Sequence, residues 1–110
     1  MKTGFAVIYR WRIRSGMEEQ FRGAWEIVTK SLMEQREALG SRLHHAQDDT
    51  WIAYAQWPTK QTWERSRELG SLDQAATAAM REAIEESFEP VLMRPVCDHL
   101  VGNDSAEGRE

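Results

Sequence analysis

The stretch Trp51-Ile52-Ala53-Tyr54-Ala55-Gln56-Trp57 constrains this chain more than any other. At the two-residue period of an extended strand, Trp51, Ala53, Ala55 and Trp57 fall on one side, with Ile52 and Tyr54 on the other. A strand with one apolar side needs one packed layer, whereas a strand that is partly apolar on both sides needs cover above and below. The chain must therefore supply a helical layer for one face of a sheet and a partner for the other.

The helical layer is legible on both sides of this strand. Phe5, Val7, Tyr9, Trp11 and Ile13 alternate with Ala6, Ile8, Arg10 and Arg12, which predicts a first strand. Ser15-Gly16-Met17-Glu18 has capping-box spacing, and Glu18 and Glu19 complement a helix dipole. Met17, Phe21, Ala24, Trp25, Val28 and Leu32 then recur at three- and four-residue steps, so an amphipathic helix is expected, with Gly40 as its terminator. Ser41 to Gln47, the acidic turn Asp48-Asp49-Thr50 and Trp51 to Trp57 read as a hairpin stopped by Pro58. Thr59 caps a short helix through Leu69. Ser71-Leu72-Asp73-Gln74 opens a third helix, whose apolar side is Leu72, Ala75, Ala76, Ala79, Met80, Ala83 and Ile84 and whose far boundary is Pro90.

Val91 to Val101 is apolar and partly β-branched, and predicts a fourth strand with Pro95 at an edge or bulge. The order β-α-β-β-α-α-β predicts an α+β fold of ferredoxin-like topology, an antiparallel four-stranded sheet with helices on one face. Residues 1–102 are expected to form one domain. Residues 103–110 contain no bulky apolar residue and are expected to be a mobile polar tail.

The second sheet face remains. The predicted last strand opposes Val91, Met93 and Cys97 to Leu92, Val96 and Leu100, so a lone chain would expose a contiguous apolar patch. Pairing two sheets face to face covers it, and a standard interface of about 800 Å² per partner is the expectation. A homodimer follows, closing a dimeric α+β barrel. A monomer shielded by the arginines and the tail is the alternative.

Composition narrows the function classes. The chain has 110 residues with a formal charge of −4, and its arginines are interspersed with acidic residues, so nucleic acid is not an expected partner. No apolar run approaches a membrane span, and Met1-Lys2-Thr3-Gly4 leads into a strand without a signal-peptide pattern. A cytoplasmic location is expected. Cys97 is the lone cysteine, which rules out an internal disulfide and fits a reducing compartment; it is expected to be a small buried hydrophobe. No phosphate-binding glycine loop, paired metal-ligand spacing or nucleophile elbow occurs, so neither a metal nor a bound cofactor is expected.

The opening strand Val7-Ile8-Tyr9-Arg10-Trp11-Arg12-Ile13, the Gly16 turn with Glu18 and Glu19 entering an amphipathic helix, and the strand Thr50 to Pro58 leading to Trp63 resemble antibiotic biosynthesis monooxygenase domains of the dimeric α+β barrel superfamily. The likeness covers residues 5 to about 101 and lies in fold and hydrophobic positions. It implies small oxygenases that use neither metal nor flavin and oxidise electron-rich phenolic or polyketide-type molecules. A cousin group degrades haem with an asparagine, a tryptophan and a histidine; here the lone asparagine, Asn103, lies in the tail, which weakens that reading.

Candidate site residues follow. His44 and His45 are adjacent on a strand, hence on opposite faces, and cannot chelate one metal together. His44 is the candidate proton acceptor, and Tyr54 the candidate hydrogen-bond partner of a phenolic oxygen. Trp25, Trp57 and Trp63, with Met80, are expected to wall a cleft between helices and sheet around a small aromatic molecule. A buried Arg10 or Arg12 would need a carboxylate partner such as Asp98 or Glu89; a structural ion pair across the dimer interface is the expectation, and stabilisation of an enolate or phenolate the alternative. A dimeric module that binds a ligand without catalysis is the second functional reading, and haem binding the third.

Overall fold

The computed structural model describes residues 2–101; Asn103 and the expected polar tail lie outside them. Among the described residues there are three helices and five strands, in the order β1 (Phe5–Ile13), α1 (Glu18–Gln35), β2 (Gly40–His45), β3 (Trp51–Trp57), α2 (Lys60–Leu69), α3 (Gln74–Ala83), β4 (Ile84–Ser87) and β5 (Val91–Met93). The sheet is antiparallel and runs β2-β3-β1-β4, with β5 also pairing β1. It is open, so one chain makes no barrel.

The first three strands and the first two helices form where the periodicities place them. The C-terminal third departs from expectation. The third helix ends at Ala83 instead of continuing toward Pro90, and Ile84–Ser87 turns into a strand beside Trp11–Ile13. The expected strand Val91–Val101 shrinks to Val91–Met93, which pairs with Ala6–Ile8. Both short strands lie on the same edge of β1, and between them the Phe88 N–H donates to the Arg10 carbonyl at 3.0 Å. They are one edge strand interrupted before Pro90, because a proline has no N–H to continue the ladder. The sheet thus counts five strands rather than four.

Local chemistry explains the helix starts. The Asp73 carboxylate accepts from the Ala76 N–H at 2.9 Å and Thr59 Oγ1 from the Thr62 N–H at 3.0 Å, so each occupies its helix N-cap. At α1 only the acidic half of the anticipated capping box forms: Glu18 Oε1 accepts from the Gly16 N–H at 3.0 Å, and Ser15 caps nothing, because Met17 holds the N-cap position. Gly40 does not terminate α1, which ends at Gln35; Gly40 opens β2 with a positive φ of 122°.

Register fixes the faces. Phe5, Val7, Tyr9 and Trp11 sit across from Trp57, Ala55, Ala53 and Trp51, and β2 adds Ser41, Leu43 and His45 beside Ala55, Ala53 and Trp51. This face lies under the helices. Phe5, Val7, Ala55, Trp57 and Trp63 form one buried cluster, and Ile13, Phe21 and Ala83 another. The opposite face carries Ala6, Ile8, Arg10 and Arg12 with Ile52, Tyr54, Arg42 and His44, flanked by Val91 and Met93.

No described helix is long and apolar enough to cross a membrane. Cys97 is exposed rather than buried, since it falls in the irregular segment after β5 instead of on a strand. Arg10 and Arg12 are also exposed. Arg12 pairs with Glu86 at 3.6 Å, not with Asp98 or Glu89, and the Arg10 guanidinium lies 4.3 Å from the centre of the Phe88 ring.

Candidate functional site: the cleft between helices and sheet

The two buried clusters leave a gap between α1 and the middle of the sheet. The small side chains Ala53 and Ala55 form a low floor in β3, Tyr9 and Trp11 rise from β1, and Trp25, Val28 and Leu32 descend from α1. Trp57, Met80, Thr29 and Ser41 complete a cavity of about 230 Å³. Ligand sites for drug-sized molecules are typically about 300–1,000 Å³, so this one suits a molecule of one or two rings.

Polar groups are few within these walls. Tyr9 is the notable one: its hydroxyl oxygen accepts the Trp63 indole N–H at 2.9 Å. Burial pushes the Tyr9 hydroxyl above the usual tyrosine range, while the Trp63 hydrogen bond and the positive charge of Arg67 pull the other way without overcoming it. Tyr9 is therefore a neutral hydroxyl at physiological pH. The Arg67 guanidinium lies 5.0 Å from the centre of the Trp63 ring, on the side of α2. Tyr9 also stacks on Trp11 at 5.9 Å and 9° between planes, which fixes the ring along the cleft wall.

The structure gathers some of the residues singled out in the sequence and separates others. Trp25, Trp57 and Met80 line the cleft. Trp63 does not; it is 4% exposed and stands behind Tyr9, against Phe5 at 5.4 Å. His44 and Tyr54 lie on the opposite face of the sheet, separated from the cleft by the backbone. Tyr54 there borders a second hollow under residues 93–100, with Thr3, Ala6, Cys97 and His99. His45, not His44, faces the helix side; it stacks on Trp51 at 4.5 Å and meets Asp49 at 2.7 Å, outside the cavity lining.

Sequence reasoning missed Tyr9 and Trp11. The signal for Tyr9 was present: it shares its strand side with Phe5, Val7 and Trp11, and a tyrosine on a buried face needs a partner for its hydroxyl.

Solved structures of similar shape exist at low sequence identity. SnoaB, a cofactor-independent oxygenase from Streptomyces nogalater, superimposes with a TM-score of 0.71 at 14% identity, over 89% of this chain and 98% of its own. A protein described as a candidate antibiotic biosynthesis monooxygenase from Chloroflexus aurantiacus gives 0.65 at 21% identity, with the same coverages. Rv0793 from Mycobacterium tuberculosis gives 0.71 at 14% identity, over 89% of this chain and all of its own. No family model matches the sequence, and no curated protein does. The likeness is one of fold, and it extends over nearly the whole length of these proteins. The chain thus carries the ferredoxin-like α+β fold found in structures described as antibiotic biosynthesis monooxygenases.

Proposed function

We propose that this protein is a cofactor-independent monooxygenase-like enzyme that acts on a small flat phenolic molecule in the cleft, working in the cytoplasm as a homodimer. The observation that carries this reading is Tyr9, a partly buried tyrosine whose hydroxyl is held by Trp63 and which lines an otherwise largely apolar and aromatic cavity. Trp11, Trp25 and Trp57 supply faces on which a planar ring can stack. The similar fold of SnoaB supports oxygen chemistry without a cofactor.

The chemistry balances without an external reductant. A phenol and one O2 give a quinone and water: one oxygen atom becomes the new carbonyl, the other leaves as water, and the ring supplies all four electrons. The protein's part is to exclude water, hold the ring and stabilise the phenolate that gives up the first electron. In this reading the Tyr9 hydroxyl donates to that oxygen.

A second reading has its own observation. No histidine or carboxylate lines the cleft, so no side chain there is an evident proton acceptor. A dimeric module that binds a flat ligand without turning it over fits that lining equally. Haem fits worse, because a tetrapyrrole is much larger than a molecule of one or two rings.

1-Naphthol in an oxygen electrode separates the first two. The expected result is one O2 consumed per naphthol with naphthoquinone as product, and Tyr9→Phe should lower turnover roughly 10- to 100-fold, the worth of one hydrogen bond to a charged oxygen. Saturable binding without oxygen uptake would establish the second reading, and absence of binding would make the cleft a packing defect of the core.

The dimer would bury the face of Ile8, Ile52 and Tyr54 together with the exposed Val91. Light scattering should give twice the mass of one chain. Replacing Ile52 by aspartate, which places a charge in the middle of that face, should shift the protein to single chains without unfolding it.

A further inference from the structure

We infer that Trp63 is a positioning residue that makes the cleft select the anionic form of its ligand's oxygen, a phenolate or enolate, over the neutral hydroxyl. This inference rests on the reading of the cleft as a binding site.

An indole N–H can only donate, so the 2.9 Å contact to the Tyr9 oxygen has a single polarity. With that oxygen accepting from Trp63, the tyrosine's own hydrogen remains to be donated, and among the described residues no protein group accepts it. Without Trp63 a tyrosine hydroxyl could serve either as donor or as acceptor, and a neutral phenol could satisfy it by donating. With Trp63 in place one of that oxygen's two lone pairs is taken, so a neutral phenol's hydrogen has only the other to meet and the hydroxyl is biased towards donating. A phenolate has only lone pairs to offer and loses nothing by that bias.

Charge acts in the same direction. Arg67 on α2 is the ion whose field reaches the Tyr9 hydroxyl, and its guanidinium lies 5.0 Å from the centre of the Trp63 ring. From β1, β2, β3, α1 and α3 the cavity receives only neutral side chains, with Thr29 and Ser41 as the other hydroxyls. No carboxylate is there to repel an anion. Apolar walls do disfavour a buried charge, which opposes this selection. That opposition is common to the native protein and to any variant of Tyr9, Trp63 or Arg67, so a comparison between them isolates the contribution of the hydrogen-bond chain.

The test uses 4-nitrophenol, whose phenolate is yellow and whose neutral form is not, with nitrobenzene as the probe lacking the hydroxyl. The pH at which bound 4-nitrophenol ionises should lie at least one unit lower in the native protein than in Trp63→Phe or Tyr9→Phe, a tenfold change in the ratio of phenolate to phenol binding. Arg67→Gln, at an exposed position, should move it in the same direction by less. Nitrobenzene should bind the native protein, Trp63→Phe and Arg67→Gln within about threefold of one another. Because Trp63 is a core residue, Tyr9→Phe and Arg67→Gln carry the comparison if Trp63→Phe does not fold. An unchanged ionisation pH across the folded variants overturns the selection while leaving the cleft a binding site. Failure of both probes to bind the native protein overturns the cleft itself.

Discussion

Replacing Phe21 by alanine is expected to lower the unfolding free energy by about 3–5 kcal/mol, the usual range for removing a fully buried aromatic ring. Phe21 has no solvent exposure and is the largest side chain in its cluster. It points from α1 into the sheet, where Trp11 meets it at 5.1 Å and Trp51 at 5.9 Å, both near edge-on, the geometry aromatic pairs favour. Ile13 and Ala83 close the same cluster from the end of β1 and from α3. Chains of this size are stable by roughly 5–15 kcal/mol, so the loss would be about a fifth of the total at the least and most of it in a marginally stable chain. Urea unfolding followed by tryptophan fluorescence should show a lower midpoint with an unchanged slope. A loss under about 1 kcal/mol would mean that the ring is not packed as described. Trp11 also walls the cleft, so the same variant should weaken binding of flat ligands; the site leans on this cluster.

Much of the architecture follows from two periodicities. The alternation from Phe5 to Ile13 and from Trp51 to Trp57 sets which side chains lie under the helices, and the apolar stripe Phe21, Ala24, Trp25, Val28 and Leu32 sets the face that covers them. The C-terminal third was less legible for a physical reason. Ala79, Met80, Ala83 and Ile84 keep a helical spacing up to the point where the chain turns, and no glycine or proline marks the turn at Ala83. What stops the helix is the unpaired edge of β1, which Ile84–Ser87 satisfies by pairing with Trp11–Ile13. That is a long-range competition invisible to local pattern. Pro90 then splits the edge, and the apolar run after it has too few ladder partners to stay extended beyond Met93.

The candidate site was half legible. Trp25, Trp57 and Met80 line the cleft because their positions on apolar stripes point them at the gap above Ala53 and Ala55. Tyr54 and His44 have the chemistry a proton-handling site needs, yet the alternation that puts Ala53 and Ala55 on the helix side puts Tyr54 on the other, and cross-strand pairing of His44 with Ile52 does the same for the histidine. Strand parity was enough to separate them from the tryptophans. What no local pattern could provide is the pairing of Trp63 with Tyr9, 54 residues apart in sequence, which turns a core tyrosine into a directed donor.

Replacing Ala53 by leucine is expected to abolish binding of flat phenols, by a hundredfold or more, with little loss of stability. Ala53 is 1% exposed and belongs to the cleft floor, with Tyr9 across from it on β1 and Leu43 on β2. The added carbons rise from the strand into a cavity of about 230 Å³ that already suits only one or two rings, leaving no place for a planar ligand to lie. Inserting methylenes into a close-packed core instead forces strained rotamers and backbone shifts worth about 1–3 kcal/mol. The two effects point opposite ways. If the cleft is a site, the variant keeps its thermal stability, or gains some from the new contacts, while losing its ligand. If the space closes in solution and the region is core, leucine at this position strains α1 against the sheet and the melting temperature falls by several degrees. Measured together, calorimetric unfolding and naphthol titration of this one variant distinguish a binding cleft from an imperfectly packed interior. They do so without assuming any catalytic step, so the result holds whether the protein oxidises its ligand or only carries it.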